Sequence, residues 1–242
     1  MTVSLALIGM LVDAATARSL IDKGQLPAAL REIERIVKTA PNDPDAQFEA
    51  GELLRQLGAA RAERLRALAP NSPEAHELAG RTLEAQGDLA QALTEYRQAG
   101  SHFLTGNILW RMRDLDAAQA ELETALADSP NHVLAHFRLG QVLAQKNQPR
   151  EAIEHLRRAV AGDPTLLEAH RELGKALRST GQYHEALQQL QMVAEQRPKD
   201  DSVHALLATV YRALGQGSLA AEQLRLHKRL LDERDAAARR AQ

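Results

Sequence analysis

Five histidines, His76, His102, His136, His170 and His204, recur at matched places along the chain, and His132 stands four residues before His136. Imidazole ligates metals and moves protons near neutral pH, so a metal ladder is the first chemistry to weigh. Two imidazoles sharing a zinc ion each sit about 2 Å from it. Equivalent helices of stacked repeats, however, approach no closer than about 8 Å, which rules the ladder out. His132 and His136 would share a helix face, but no H-E-x-x-H pattern or converging carboxylate accompanies them. Cysteine is absent, which removes thiolate metal sites, disulfides and thiol catalysis together. No glycine-rich phosphate loop or G-x-S-x-G turn is present, and no carboxylate pair is spaced beyond what charged helices produce anyway. Runs such as Arg31 to Arg35 and Asp232 to Arg234 read as solvated faces. No catalytic residue, metal or cofactor is expected.

The histidines are regular because the chain is. From Pro130 to Pro198 one 34-residue pattern is written twice: Leu139-Gly140, Ala152, Ala159 and Pro164 return as Leu173-Gly174, Ala186, Val193 and Pro198. His136, Leu139, Gly140 and Leu143 fall at i, i+3, i+4 and i+7, one face of a helix, and Ala152, Leu156 and Ala159 make the stripe that faces it. Small residues let two helices approach while large ones fill the gaps, and Asp163-Pro164 ends the unit because proline cannot extend the helix. A fixed period of this length signals a solenoid. The same ruler divides the rest into repeats of approximately 10–43, 44–72, 73–98, 99–132, 133–166, 167–200 and 201–234. In the first, Gly24 marks the turn, while Asp13 and Thr16 specify the opening helix weakly. In the second, Gly58 is expected at the turn, with a shortened second helix from Ala59 to Leu68; the third stops early at Gly100. In the last, Gly217 or Ser218 opens a helix that runs through Leu230 and Leu231 into Arg239, a charged cap for the solenoid end. Residues 13–242 are expected to form a single repeat domain.

This pattern resembles the tetratricopeptide repeat (TPR) family, W-x2-L-G-x2-Y, then A-x3-F, then P, with His in place of Trp and Leu in place of Tyr or Phe. The resemblance covers nearly the whole chain. It implies an all-α fold, a right-handed superhelical solenoid of antiparallel helix pairs with about seven repeats, and a non-catalytic role as a protein interaction scaffold of bacterial type. The histidines would then stand half-buried between paired helices. It also implies a groove lined by the first helix of each repeat. Its early end would carry Glu52, Glu74, Glu77, Arg81 and Glu84. Further along come Phe103, Asn107, Trp110, Arg111, Phe137, Gln141 and Gln145, then Glu168, Arg171, Lys175 and Arg178. Asn107, Gln141, Arg171 and Lys175 partly resemble the carboxylate clamp with which some family members hold an acidic C-terminal peptide, although Phe103 replaces an expected Lys and Gln141 an Asn. A broader reading makes Phe103, Trp110 and Phe137 anchors for an apolar segment whose acidic part the basic stripe orients. Trp110 packing between repeats is the alternative.

Bulk properties agree with this and narrow it. At 242 residues, with a formal net charge of −2 and 26% charged residues, the chain lacks the basic footprint that nucleic-acid phosphates require. Aromatic residues are 3%, so close helix packing by Leu and Ala is favoured over a sheet sandwich. The uncharged run Val3 to Val12 is too short to span a bilayer. Segment 1–12 reads either as the apolar core of a signal peptide, with Ala14, Ala15 and Ala17 as cleavage candidates but no basic residue before it, or as a helix packing on the first repeat. The first choice would place the protein in the periplasm, as a structural subunit of an exported or envelope assembly, and the second in the cytoplasm.

Overall fold

The computed structural model describes residues 5–240, with side chains from Asp13 to Arg239. They form thirteen helices, and the chain divides into two compact units, Met1–Gly100 and Ser101–Gln242. The single repeat domain expected over 13–242 is described below unit by unit. The choice between signal peptide and packing helix rests on side chains outside the described residues, although helix α1 (Leu5–Asp22) runs through this stretch.

In the first unit, α1 is followed by α2 (Leu26–Thr39), α3 (Pro44–Leu68), α4 (Pro73–Ala85) and α5 (Leu89–Gln98). Ala14, Ala17 and Ile21 of α1, Ala29, Ile33 and Ile36 of α2, and Ala46, Ala50 and Leu53 of α3 close one core. Arg35 pairs with Asp13 and Arg18 with Glu49 across it. The expected first turn is present, with Gly24 at φ +69°, a left-handed conformation that glycine adopts without strain. The second repeat departs from expectation. Gly58 forms no turn, and α3 passes straight through it as one helix of 25 residues. The cause is local: Ala59 and Ala60 are strong helix formers, and no Asp or Ser follows Gly58 to cap a new helix. Helix α2 starts after Gln25 with a proline in its first turn and no side-chain cap, whereas α3, α4 and α5 start where the sequence supplies caps. Asp43 accepts from the amides of Asp45 and Ala46, Ser72 from Ala75, and Asp88 from Gln91.

The second unit holds α6 (His102–Arg111), α7 (Leu115–Asp128), α8 (Val133–Gln145), α9 (Pro149–Gly162), α10 (Leu167–Ser179), α11 (Tyr183–Gln196), α12 (Asp201–Ala213) and α13 (Gly217–Arg240). These pack as four successive helix pairs, and the first helices α6, α8, α10 and α12 also meet one another in order. This is the expected all-α solenoid of helix pairs, with six pairs and one straight helix among the described residues. A glycine in the first helix sets the closeness of three of these pairs, and Ala208 stands at the same place in the fourth. A Cβ added at Gly106, Gly140 or Gly174 would lie 2.8, 2.6 or 2.7 Å from Cγ of Leu122, Leu156 or Leu190, so these contacts admit no side chain. Leu122, Leu139, Leu156, Leu173, Leu177 and Leu190 are fully buried around them. The last helix runs as far as expected. Leu230 is buried, the Asp201 carbonyl accepts from His227 Nδ1 at 2.8 Å, and Arg234 donates to the Asp201 carboxylate at 2.7 Å.

Candidate partner-binding face

The histidines bolt helix pairs together. In every case Nδ1 meets the residue nineteen positions on: Glu95 for His76, Glu121 for His102, His155 for His136, Gln189 for His170 and Gln223 for His204, at 2.7 to 3.0 Å. His136, His170 and His204 are buried, and each donates Nε2–H to a proline carbonyl, Pro130, Pro164 and Pro198 respectively. With that proton placed, a neutral ring accepts at Nδ1. An amide partner can turn its NH2 toward a neutral ring or its oxygen toward a protonated one. No group of three or more metal-ligating side chains occurs among the described residues.

The first helices of the second unit carry the groove residues named from the sequence. Trp110 of α6, Phe137 and Gln141 of α8 come together around a residue that the sequence pattern does not single out, Arg138. Its guanidinium lies 4.0 Å from the Trp110 ring centroid and 5.9 Å from that of Phe137, and its Nη1 donates to Gln141 at 2.7 Å. The Trp110 indole is half-buried with the Arg138 cation over its ring, and Phe137 beside it is buried. Burial and the neighbouring Arg111 hold the Arg138 pKa below its ordinary value. No carboxylate among the described residues pairs with Arg138.

Phe103 sits apart from this cluster, its ring 4.6 Å from that of His132 at the start of α8. Arg171 and Lys175 gather instead around Glu172, with Lys175 Nζ at 2.8 Å and Arg171 Nε at 3.8 Å, and Asp200 lies 3.6 Å from Arg171. Their charge is therefore largely answered within the chain. Arg178, half-buried, has no such partner among the described residues. Asn107 Oδ1, Trp110 Nε1, Arg138 Nε, Arg171 Nε and Arg178 Nε are all buried without a hydrogen-bond partner. These five atoms lie on three consecutive first helices. A buried polar atom left unpaired costs about 1–3 kcal/mol, so their concentration on one row of helices is a property of that row. In the first unit, by contrast, three of the four acidic residues expected to line the groove, Glu52, Glu77 and Glu84, are answered locally. Arg55 holds Glu52 far below the usual carboxylate range, down to about 2, Arg81 pairs with Glu77, and Tyr96 donates to Glu84 at 2.7 Å.

A solenoid of helix pairs whose first helices meet in order defines a class of interaction scaffolds. Models of the family described as Tetratricopeptide repeat match residues 15–60, 58–101 and 103–166, and a second such model matches residues 143–210. The chain belongs to the tetratricopeptide repeat family. No curated protein matches the sequence. Among solved structures, MamA 41-end from Desulfovibrio magneticus RS-1 is similar at 22% identity and a TM-score of 0.61, over 67% of this chain and 97% of that one. A further MamA crystal structure is 16% identical, with a TM-score of 0.61 over 68% of this chain and 94% of the other. YrrB, described as a TPR protein with an unusual peptide-binding site, is 22% identical, with a TM-score of 0.63 over 70% of this chain and 91% of its own. At these identities the likeness concerns the fold.

Proposed function

We propose that the protein is a non-catalytic scaffold whose second unit binds a partner segment along α6, α8 and α10, with an apolar residue of the partner against Trp110 and a carboxylate on Arg138. The observation that carries this reading is Arg138 itself. It is a half-buried guanidinium stacked 4.0 Å over an indole, with no carboxylate paired to it among the described residues. A buried charge without a counter-charge is costly, and a ligand carboxylate would relieve that cost through bidentate, charge-assisted hydrogen bonds. Arg178 supplies a second cation, and the unpaired atoms of Asn107 and Trp110 supply one acceptor and one donor. Arg171 and Lys175, already engaged by Glu172, contribute less to this reading than their sequence positions imply.

Trp110 is the only tryptophan in the chain, so its emission reports this face directly. A panel of short peptides joining a Leu or Phe to a carboxylate is expected to shift that emission saturably. Arg138→Gln should weaken binding at least tenfold, since a hydrogen bond to a charged group is worth about 1.5–3 kcal/mol. Arg178→Gln should weaken it less, and added salt should weaken the wild type more than either variant. Equal binding by wild type and Arg138→Gln would remove the reading.

A further inference from the structure

The first unit carries a second interaction surface, on the face of α3 that the absent turn leaves open. In the other repeats the glycine of the Leu-Gly motif is covered from within the chain by the residue sixteen positions on: Gly80 by Tyr96, Gly106 by Leu122, Gly140 by Leu156 and Gly174 by Leu190. Four positions before each covering residue stands a fully buried alanine, Ala92, Ala118, Ala152 or Ala186. Gly51 occupies the same register, the eighth residue of its repeat counted from Pro44, yet among the described residues nothing lies within 4 Å of a Cβ placed there. Phe48 on one side is 77% exposed and Leu54 on the other 46% exposed. The opposite side of α3, through Ala46, Ala50 and Leu53, is the one packed into the core. Toward its C-terminal end the open face continues into a groove of about 500 Å³ between α3 and α4, lined by Gly58, Arg61, Leu65 and Leu78 among others.

We infer that this face is a docking site for an amphipathic helix of another protein, laid antiparallel to α3 so that a small residue and, four positions later, a Leu or Tyr cover Gly51. The chain's own helix is the wrong shape for the place. Were α3 to fold back at Gly58, the positions twelve and sixteen after Gly51 would be Glu63 and Ala67 where the other repeats have Ala and Leu or Tyr. The chain's Ala-x3-Leu and Ala-x3-Tyr helices α5, α7, α9, α11 and α13 have their alanines buried in their own pairs, so a second copy would have to open a pair to offer one of them. The groove toward α4 carries Arg61 and Arg81 beside Glu74 and Glu77, so shape rather than net charge selects the incoming helix there.

The test uses the full chain and, as probe, a labelled peptide with the sequence of residues 114–129. That peptide is acidic and holds the Ala118, Leu122 pair that covers Gly106. Saturable binding is expected by fluorescence anisotropy, with loss of at least tenfold in affinity when the peptide carries Leu122→Ala. Gly51→Ala separates docking from folding. Its methyl group meets nothing in the free protein and favours the helix, so the melting temperature should hold or rise, whereas the docked Leu would collide with it and affinity should fall at least tenfold. Repeating both titrations in the Arg138→Gln background, where the face on the second unit is weakened, should leave the tenfold difference between Gly51 and Gly51→Ala in place, which separates the two sites. A peptide that fails to bind, or that binds Gly51→Ala as tightly as wild type, overturns the proposal. So does a Gly51→Ala protein that melts lower, since the face would then be covered within the chain. A wild-type dimer that Gly51→Ala converts to monomer would give the face to a second copy and equally overturn assignment to another protein.

Discussion

At His136 and His155 two imidazoles stand where the other repeats set an imidazole against a carboxylate or an amide. The difference has a pH signature. His136 spends its Nε2 proton on Pro130, so the pair shares one proton between facing Nδ1 atoms, and protonating both rings would bring two N–H groups nose to nose. Burial first, then the charge of His136 and of Arg158, holds the His155 pKa below its ordinary 6.5. A histidine whose folded pKa is depressed binds more protons when unfolded, so its contribution to stability is intact above about pH 6.5 and is lost as the pH falls below that. His155→Gln installs the partner that His170 and His204 already have, one that can face either ring state. The variant should match wild type in melting temperature at pH 7.5 and exceed it at pH 5, by circular dichroism; equal losses on acidification would contradict the pairing. Single residues also mark the limit of the sequence as a guide. Trp110, Phe137 and Gln141 were legible because they flank Leu-Gly motifs. Arg138 was not, because an arginine on an amphipathic helix has the pattern of a solvated charge, and only the approach of α8 to α6 lays it over the indole.

Among the elements, α3 shows how a repeat can keep its period and lose its turn. Seven residues after the Leu-Gly position the other repeats adopt positive φ: Gly87, Arg113, Asn147, Gly181 and Gly215. Gly58 stands at that register, which is why the sequence suggested a turn there. Spacing alone does not weigh the residues just after the glycine, and these decide whether a new helix can start. Asp88 and Asp114 cap the helices after their turns, and Pro149 opens α9, whereas Ala59 and Ala60 simply prolong the helix already under way. A glycine in an exposed helix costs about 0.5–1 kcal/mol relative to alanine. Gly58→Ala should therefore stabilise the protein by about that amount in urea denaturation. Gly215→Ala, at φ +74°, should destabilise it by about 1 kcal/mol or more. A loss at both positions would mean that α3 bends in solution. The repeats from Ala99 onward were readable almost residue by residue, because each pair there combines a small residue at the close contact, Gly106, Gly140, Gly174 or Ala208, with a positive-φ turn residue seven positions on, each consistent with the other.

On the scale of the molecule, the division at Gly100 assigns the two proposed faces to different units: the Trp110 and Arg138 cluster to the second, the open face of α3 to the first. Repeat proteins draw their stability from contacts between neighbouring repeats, and the second unit has four successive helix pairs with a buried core of its own. Its far end is closed by α13, whose His227 and Arg234 are tied to Asp201 and whose Leu230 is buried. Ser101–Gln242 expressed alone should therefore be helical by circular dichroism and melt in one cooperative transition. Every groove residue from Phe103 to Arg178 lies inside it. The fragment should accordingly bind apolar-acidic peptides within about threefold of the full chain when followed by Trp110 emission, a difference of about 0.6 kcal/mol. A folded fragment that had lost peptide binding would move the recognition surface out of the second unit, and with it the role assigned to Arg138.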